Sequence, residues 1–139
     1  MEIRRMQPGD LEGAARLYLE AYRAKWTEAG ARTYLERFYR FQPDSCLVAV
    51  EADARIVGAV LAYSYEKETG PVLFIQELFV QPSLRKQGCG KKLVSALRDS
   101  FSEKMQVKIT PLVKADTSVL NFYNSLGFER EKAFTFFDE

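Results

Sequence analysis

The stretch 72–94 constrains the fold more than any other part of this chain. A strand-forming run, Val72-Leu73-Phe74-Ile75-Gln76-Glu77-Leu78-Phe79-Val80, ends at Gln81-Pro82-Ser83. Two glycines, Gly88 and Gly90, then lead into a helical pattern carried by Leu93, Leu97 and Phe101. The run is apolar on both faces except at Gln76 and Glu77, so it belongs inside a sheet with helices covering it. A buried strand feeding a helix through a glycine turn restricts the chain to a mixed α/β architecture.

The remaining segments agree with that restriction. Residues 2–6 read as a first strand, and Pro8-Gly9-Asp10 as a turn with Asp10 as helix N-cap. Leu11, Ala14, Ala15, Tyr18 and Tyr22 recur at helical spacing, as do Ala31, Tyr34, Leu35 and Phe38 before a stop near Gln42-Pro43-Asp44. Residues 46–51 and 55–65 form a hairpin about Ala52-Asp53-Ala54, and Gly70-Pro71 marks the next break. Residues 107–113 read as a strand. Val119, Phe122, Tyr123 and Leu126 mark a last helix that stops at Gly127, and 128–137 offers one or two final strands. The expected order is strand, two helices, three strands, helix, strand, helix, strand(s), in a single domain over 1–139.

Composition narrows the chemistry. The 139 residues are 47% hydrophobic, which supports a real core, and 20 basic against 19 acidic side chains leave a net charge of +1. No global attraction to a polyanion follows, so a nucleic-acid partner is not expected. The N-terminus is charged, without an apolar leader, and no apolar stretch approaches the ~20 residues that span a bilayer, so the expectation is a cytoplasmic protein without a membrane partner. Cys46 and Cys89 are the only cysteines and there is no histidine. Ser-His-Asp and Cys-His catalysis and the common zinc sites are thereby excluded, and no clustered carboxylates suggest another metal. Carboxylates, tyrosines, lysines and backbone amides remain.

The segment after Val80 concentrates what is left. Arg85, Lys86, Lys91 and Lys92 surround Gly88-Cys89-Gly90 at the start of a helix. Helix N-terminal amides and a nest of consecutive N–H groups bind anions, and glycine lets the backbone approach them closely. A P-loop is ruled out by Arg85 and Lys92 at its required positions, and a dinucleotide fingerprint by Leu93 where a third glycine belongs. The remaining pattern, Arg85-x-x-Gly88-x-Gly90, resembles the coenzyme A pyrophosphate loop of the GNAT superfamily of N-acetyltransferases. Glu77-Leu78-Phe79-Val80 looks like the strand before that loop. Asn121-Phe122-Tyr123-Asn124-Ser125-Leu126-Gly127-Phe128 is similar to the family's later helix motif, and the order of elements matches over nearly the whole chain.

The resemblance implies a GNAT-like acyl-CoA N-acyltransferase fold and acetyl-CoA as co-substrate, with an acetyl group passed directly to a primary amine in a ternary complex. A non-catalytic acyl-CoA-binding regulatory module is the alternative. Cofactor contacts are implied at Leu78, Phe79, Val80, Arg85, Lys86, Gln87, Gly88, Cys89, Gly90, Lys91, Asn121 and Tyr123, with the amide near Leu78 as an oxyanion donor. Tyr123 matches the tyrosine that protonates the departing thiolate. Cys89 occupies a slot for small apolar residues and is read as packing. Asp116 and Val119 depart from the family's usual Asn and Ala. The strands 72–80 and 107–113 are implied to run parallel and splay, with pantetheine between them; Pro111 suits such a splay, an edge strand or a bulge equally.

Counting by twos places Glu77 with Leu73, Ile75 and Phe79 on one face and Gln76 on the other. A carboxylate on an apolar face is either a base whose pKa burial raises or a structural group satisfied by Arg, Tyr or backbone. Around the acceptor, the resemblance groups Tyr18, Glu20, Tyr22, Trp26, Glu28, Tyr34, Tyr39, Tyr63 and Tyr65, suited to a cationic amine on a small molecule or peptide. Phe134, Phe136 and Phe137 suit either another strand or the partner subunit of a homodimer.

Overall fold

The computed structural model describes residues 1–101, 104–109, 117–129 and 138. Its elements are β1 (Glu2–Arg5), α1 (Leu11–Tyr22), α2 (Glu28–Phe41), β2 (Cys46–Val50), β3 (Ile56–Lys67), β4 (Gly70–Val80), α3 (Cys89–Asp99), β5 (Gln106–Ile109) and α4 (Thr117–Ser125). Asp116, Pro111 and the phenylalanines 134, 136 and 137 lie outside the described residues, as do the splay beyond Ile109 and the final strands.

The strands form one sheet in the order β1-β2-β3-β4-β5, antiparallel except for the parallel pair β4 and β5. β2 and β3 are the centre, and Val57–Leu61 of β3 is buried on both faces because helices cover each side. One face carries α1 and α2, whose Leu11, Ala14, Tyr18, Ala31 and Leu35 meet Val48, Ala59, Leu61 and Phe79. The other carries α3, whose Leu93, Val94 and Leu97 meet Val57, Val60, Leu73 and Ile75. The helical spacing read from the sequence is the spacing of these buried stripes.

Gly58 is where α3 comes closest to the sheet. A Cβ there would lie 2.9 Å from Cys89 Sγ and 3.1 Å from Leu93 Cδ1. α4 ends as expected: Gly127 has φ +88°, and Phe128 N–H reaches back to Tyr123 O at 3.0 Å. Arg98 of α3 holds this end, donating to Leu126 O at 3.4 Å with its guanidinium 5.3 Å from the Phe128 ring centre.

Two local expectations change. Asp10 holds the N-cap position of α1 as expected, but its side chain makes no bond to the helix amides; its carboxylate takes two bonds from Arg4 and one from Gln7 N–H, closing the short turn before the helix. Gly70-Pro71 is no break but the first residues of β4, opposite Lys67 and Glu66.

Candidate active site

The site is built around an irregularity in β4. Leu61 of β3 pairs with Glu77, but the next residue, Ala62, pairs with Ile75, so Gln76 is an extra residue on β4. Such a bulge bends its strand and shifts the alternation of side chains by one. Leu73 and Ile75 therefore face α3, whereas Glu77 and Phe79 face α1 and α2. This corrects the period-two count: Glu77 shares a face with Phe79 but not with Leu73 or Ile75, and Gln76 lies on Glu77's side.

Glu77 is 1% exposed. Tyr34 donates its hydroxyl proton to Glu77 Oε2 at 3.1 Å, and Gln76 Nε2 donates to the Tyr34 oxygen at 3.3 Å. Glu77 Oε1, equally buried, has no hydrogen-bond partner among the described residues. Burial pushes the carboxyl pKa up to about 7, against the opposing pull of hydrogen bonds from Tyr34 and Tyr22. The Tyr22 hydroxyl stands between two acceptors, that carboxyl and the Leu78 carbonyl at 3.2 Å. It holds one proton and serves one of them at a time; the bond to Leu78 is the one with a defined distance.

The backbone beside Glu77 is turned outward. Gln81 N–H donates to Val57 O at 2.8 Å, so the alternation of an antiparallel ladder commits Phe79 to β3 and aims the amides of Leu78 and Val80 away from it. The described pairing with β5 stops at Ile75 and Ile109, one residue before the bulge. Among the described residues, no strand takes up the edge formed by Leu78 and Val80. Phe79, expected among the cofactor contacts, instead spends its amide on the sheet and its ring on Tyr18 and Tyr22.

That edge leads into the glycine loop. Lys86 and Gly88 adopt positive φ, +65° and +86°, and a Cβ on Gly88 would meet nothing, so this glycine serves the backbone turn. Gly90 serves packing: a Cβ there would lie 3.0 Å from Phe122 Cζ, so the bare backbone lets α4 seat on the loop. The first intrahelical bond of α3 runs from Lys92 N–H to Gly88 O at 2.9 Å, and no side chain caps the helix. The amides of Cys89, Gly90 and Lys91 thus have no acceptor within the helix, and the exposed Arg85, Lys86, Lys91 and Lys92 lie around them in the chain. Gln87 is tied across the loop, its amide donating to Ser83 O at 3.2 Å. Arg85 also has a structural partner, the carbonyl of Ala21 at the end of α1.

Cys89 is 3% exposed beneath Gly58 and burial raises its thiol pKa, which makes it packing and not a nucleophile. Tyr123 stands beside the loop between Phe122 and Phe128, with ring centres 5.0 Å and 5.8 Å away. Burial, with the charge of Glu77, pushes its phenol up to about 12, so it is a proton donor at neutral pH. Asn121 is exposed on α4.

Of the residues grouped around the acceptor, Tyr18, Tyr22, Trp26 and Tyr34 form one aromatic cluster over Glu77's face, with Trp26 48% exposed at its rim. Tyr63 and Tyr65 lie further along β3: Tyr63 stacks on Phe74, meets Phe41 of α2 edge-on and is tilted against Tyr65. Glu28 is paired with Arg16, and Glu20 is exposed. Among the described residues, no group of His, Cys, Asp or Glu is placed to hold a metal.

A glycine loop at a helix start, with exposed cations about it, thus adjoins a strand edge that, among the described residues, no other strand pairs, next to a buried carboxyl. The family model of the Acetyltransferase (GNAT) family matches residues 11–128. The chain belongs to this family and is an acetyl-CoA-dependent N-acetyltransferase. It is similar to an uncharacterized N-acetyltransferase of Archaeoglobus fulgidus, 29% identical over 96% of each chain. Its fold is that of a protein from Pyrococcus horikoshii OT3, at TM-score 0.81 and 18% identity over 96% of this chain and 92% of that one. An aminoglycoside N-acetyltransferase solved in complex with CoA superimposes at TM-score 0.74, 23% identical over 99% of this chain and 93% of the other.

Proposed function

We propose that this enzyme passes the acetyl group of acetyl-CoA directly to a primary amine bound on the α1–α2 side of β4, in a ternary complex. One observation carries the reading: a buried carboxyl with one oxygen, Oε1, unpaired among the described residues, beside an outward-facing backbone edge. A buried acceptor without a donor is costly and marks a place where a partner belongs.

The residues divide the work as follows. The amides of residues 87–91, with Arg85 and Lys86, hold the pyrophosphate, and the Leu78 and Val80 edge holds the pantetheine arm. Acetyl-CoA supplies the activated thioester. Glu77 takes one N–H proton from the amine through Oε1 as nitrogen bonds to the carbonyl carbon. The Leu78 amide faces the carbonyl oxygen, where negative charge develops. The carbon–sulfur bond breaks and Tyr123 gives its phenolic proton to the sulfur. Return of the proton from Glu77 to Tyr123 through solvent restores both groups.

The acceptor is a cationic amine in its resting form, on a small molecule or a peptide; it gives one proton to solvent before it attacks as the neutral amine. The rings of Tyr18, Tyr22, Trp26 and Tyr34 beside a carboxyl suit such a group, and the superimposed CoA-bound relative is named for an aminoglycoside acceptor.

The test pairs binding with turnover. Acetyl-CoA, but not ATP or NAD, should raise the thermal midpoint, and a panel of amines should then show acceptor-dependent thiol release. Tyr123→Phe should keep the thermal shift and lose ~100-fold in kcat, the usual share of general acid catalysis. Thiol release without any amine, through an acetylated enzyme, would overturn direct transfer.

A further inference from the structure

We propose that Tyr34 and Gln76 are positioning residues for Glu77: together they pin one carboxyl oxygen, Oε2, and leave Oε1 as the single oxygen that accepts the amine's proton. The proposal rests on the reading of Glu77 as base and assigns a task to two residues that reading does not use.

The three side chains form a directed chain. Gln76 Nε2 donates to the Tyr34 oxygen at 3.3 Å, which commits the phenol's only proton to its other neighbour, Glu77 Oε2, at 3.1 Å. A donor on the phenol oxygen also polarises the hydroxyl and strengthens its bond to the carboxylate. The bulge is what brings Gln76 and Glu77 to the same side: alternation from Ile75 turns Gln76 toward α2, and the extra residue turns Glu77 the same way where an unbroken ladder would aim it at α3. The Tyr34 ring cannot swing aside, being held by Phe38, Tyr18 and Trp26 at 5.1, 5.9 and 6.0 Å between centres.

The other neighbours leave this chain as the distinctive influence on the carboxyl. Among the described residues, the titratable groups around Glu77 are Tyr18 and Tyr22 of α1, Tyr34 of α2 and Tyr123 of α4, while β3 presents Leu61. All four phenols are displaced upward from their ordinary value, so each is neutral where the carboxyl titrates. The Tyr22 proton has its own acceptor at Leu78 O. A hydrogen bond from Tyr34 to the ionised form therefore keeps Glu77 from being driven further into its neutral, inactive state.

The experiment follows the Glu77 carboxyl carbon by NMR across pH in the ligand-free protein, comparing wild type with Tyr34→Phe, Gln76→Leu and the double variant. Phenylalanine preserves the ring and its packing. Tyr34→Phe should raise the carboxyl midpoint by about one pH unit, the scale of one hydrogen bond to a charged group. Gln76→Leu should shift it less, in the same direction, and should add nothing in the Tyr34→Phe background. An unchanged midpoint in Tyr34→Phe, or a full Gln76→Leu effect without the Tyr34 hydroxyl, would overturn the proposal. The pH profile of kcat/KM separates this from the parent reading. If the NMR midpoint moves and the ascending limb does not follow, Glu77 is not the base, yet the positioning chain stands.

Discussion

Ile75 and Glu77 stand two residues apart in β4 and face opposite sides of the sheet, Ile75 toward α3 and Glu77 toward the hydroxyl of Tyr34 on α2. Gln76 between them is the extra residue of a bulge. The arrangement puts a carboxyl into the aromatic layer at the point where the described pairing of β4 with β5 ends.

Deleting Gln76 tests what the bulge is for. Ile75 and Glu77 would become adjacent in a regular ladder, each keeping its face, because Ala62 and Leu61 already oppose them as neighbours. The core should survive, with a thermal midpoint within a few degrees of wild type. The straightened β4 should no longer turn its edge toward the loop, so the midpoint shift on adding acetyl-CoA should vanish. A deletion variant that binds acetyl-CoA as before would remove the bulge from the site.

Glu77→Gln is expected to separate stability from activity. The folded carboxyl titrates near 7 and the unfolded one near 4.5, so the native state binds more protons between those values. Wild-type stability then falls as pH rises from about 4.5 to about 7 and is level above that range. Glutamine has no such dependence and can still accept from Tyr34. The variant should match wild type near pH 4.5 and exceed it by up to about 3 kcal/mol at pH 8, as 1.36 kcal/mol per unit implies. Its acetyl transfer should be lost throughout. Denaturant unfolding at the two pH values checks the first claim, and a pH-independent difference would sink it.

Gly58 and Cys89 should behave as a coupled pair. Gly58→Ala puts a Cβ 2.9 Å from the Cys89 sulfur, too close without movement of α3, and should destabilise by about 1–3 kcal/mol. Cys89→Ala alone should keep acetyl transfer, because the buried thiol performs no step. Adding Cys89→Ala to Gly58→Ala should restore part of the loss. Additive effects in the double-mutant cycle would mean that α3 relaxes by another route.

Much of this architecture was legible in the residues. The apolar stripes of α1, α2 and α3, the glycine loop and the tyrosine of α4 follow from spacing and from local backbone demands. The face of Glu77 was not legible, since counting by twos assumes an unbroken ladder and nothing in Ile75-Gln76-Glu77 announces an extra residue. Tyr34 was visible as a member of an apolar stripe and of the acceptor-side group, but not as the partner of Glu77. Its bond to Glu77 spans 43 residues and depends on how α2 lies across β4. Arg85 was legible as a cation of the glycine loop but not as the partner of Ala21, 64 residues earlier.

That double engagement of Arg85 separates it from Lys86. The Ala21 carbonyl belongs to the last turn of α1, where helix carbonyls lack intrahelical donors and the dipole favours a cation. Arg85→Ala removes the donor and should cost about 1 kcal/mol without any ligand, the net worth of one such bond. The exposed Lys86 should be replaceable by alanine with no change in the ligand-free midpoint. Both variants should weaken acetyl-CoA binding, and the difference from wild type should shrink as salt is raised. Thermal midpoints with and without acetyl-CoA, at low and high salt, give both quantities from one set of samples. If Arg85→Ala and Lys86→Ala are equally stable without ligand, the bond to Ala21 contributes nothing. If instead neither variant changes the acetyl-CoA shift, the pyrophosphate is held by the amides of the loop alone.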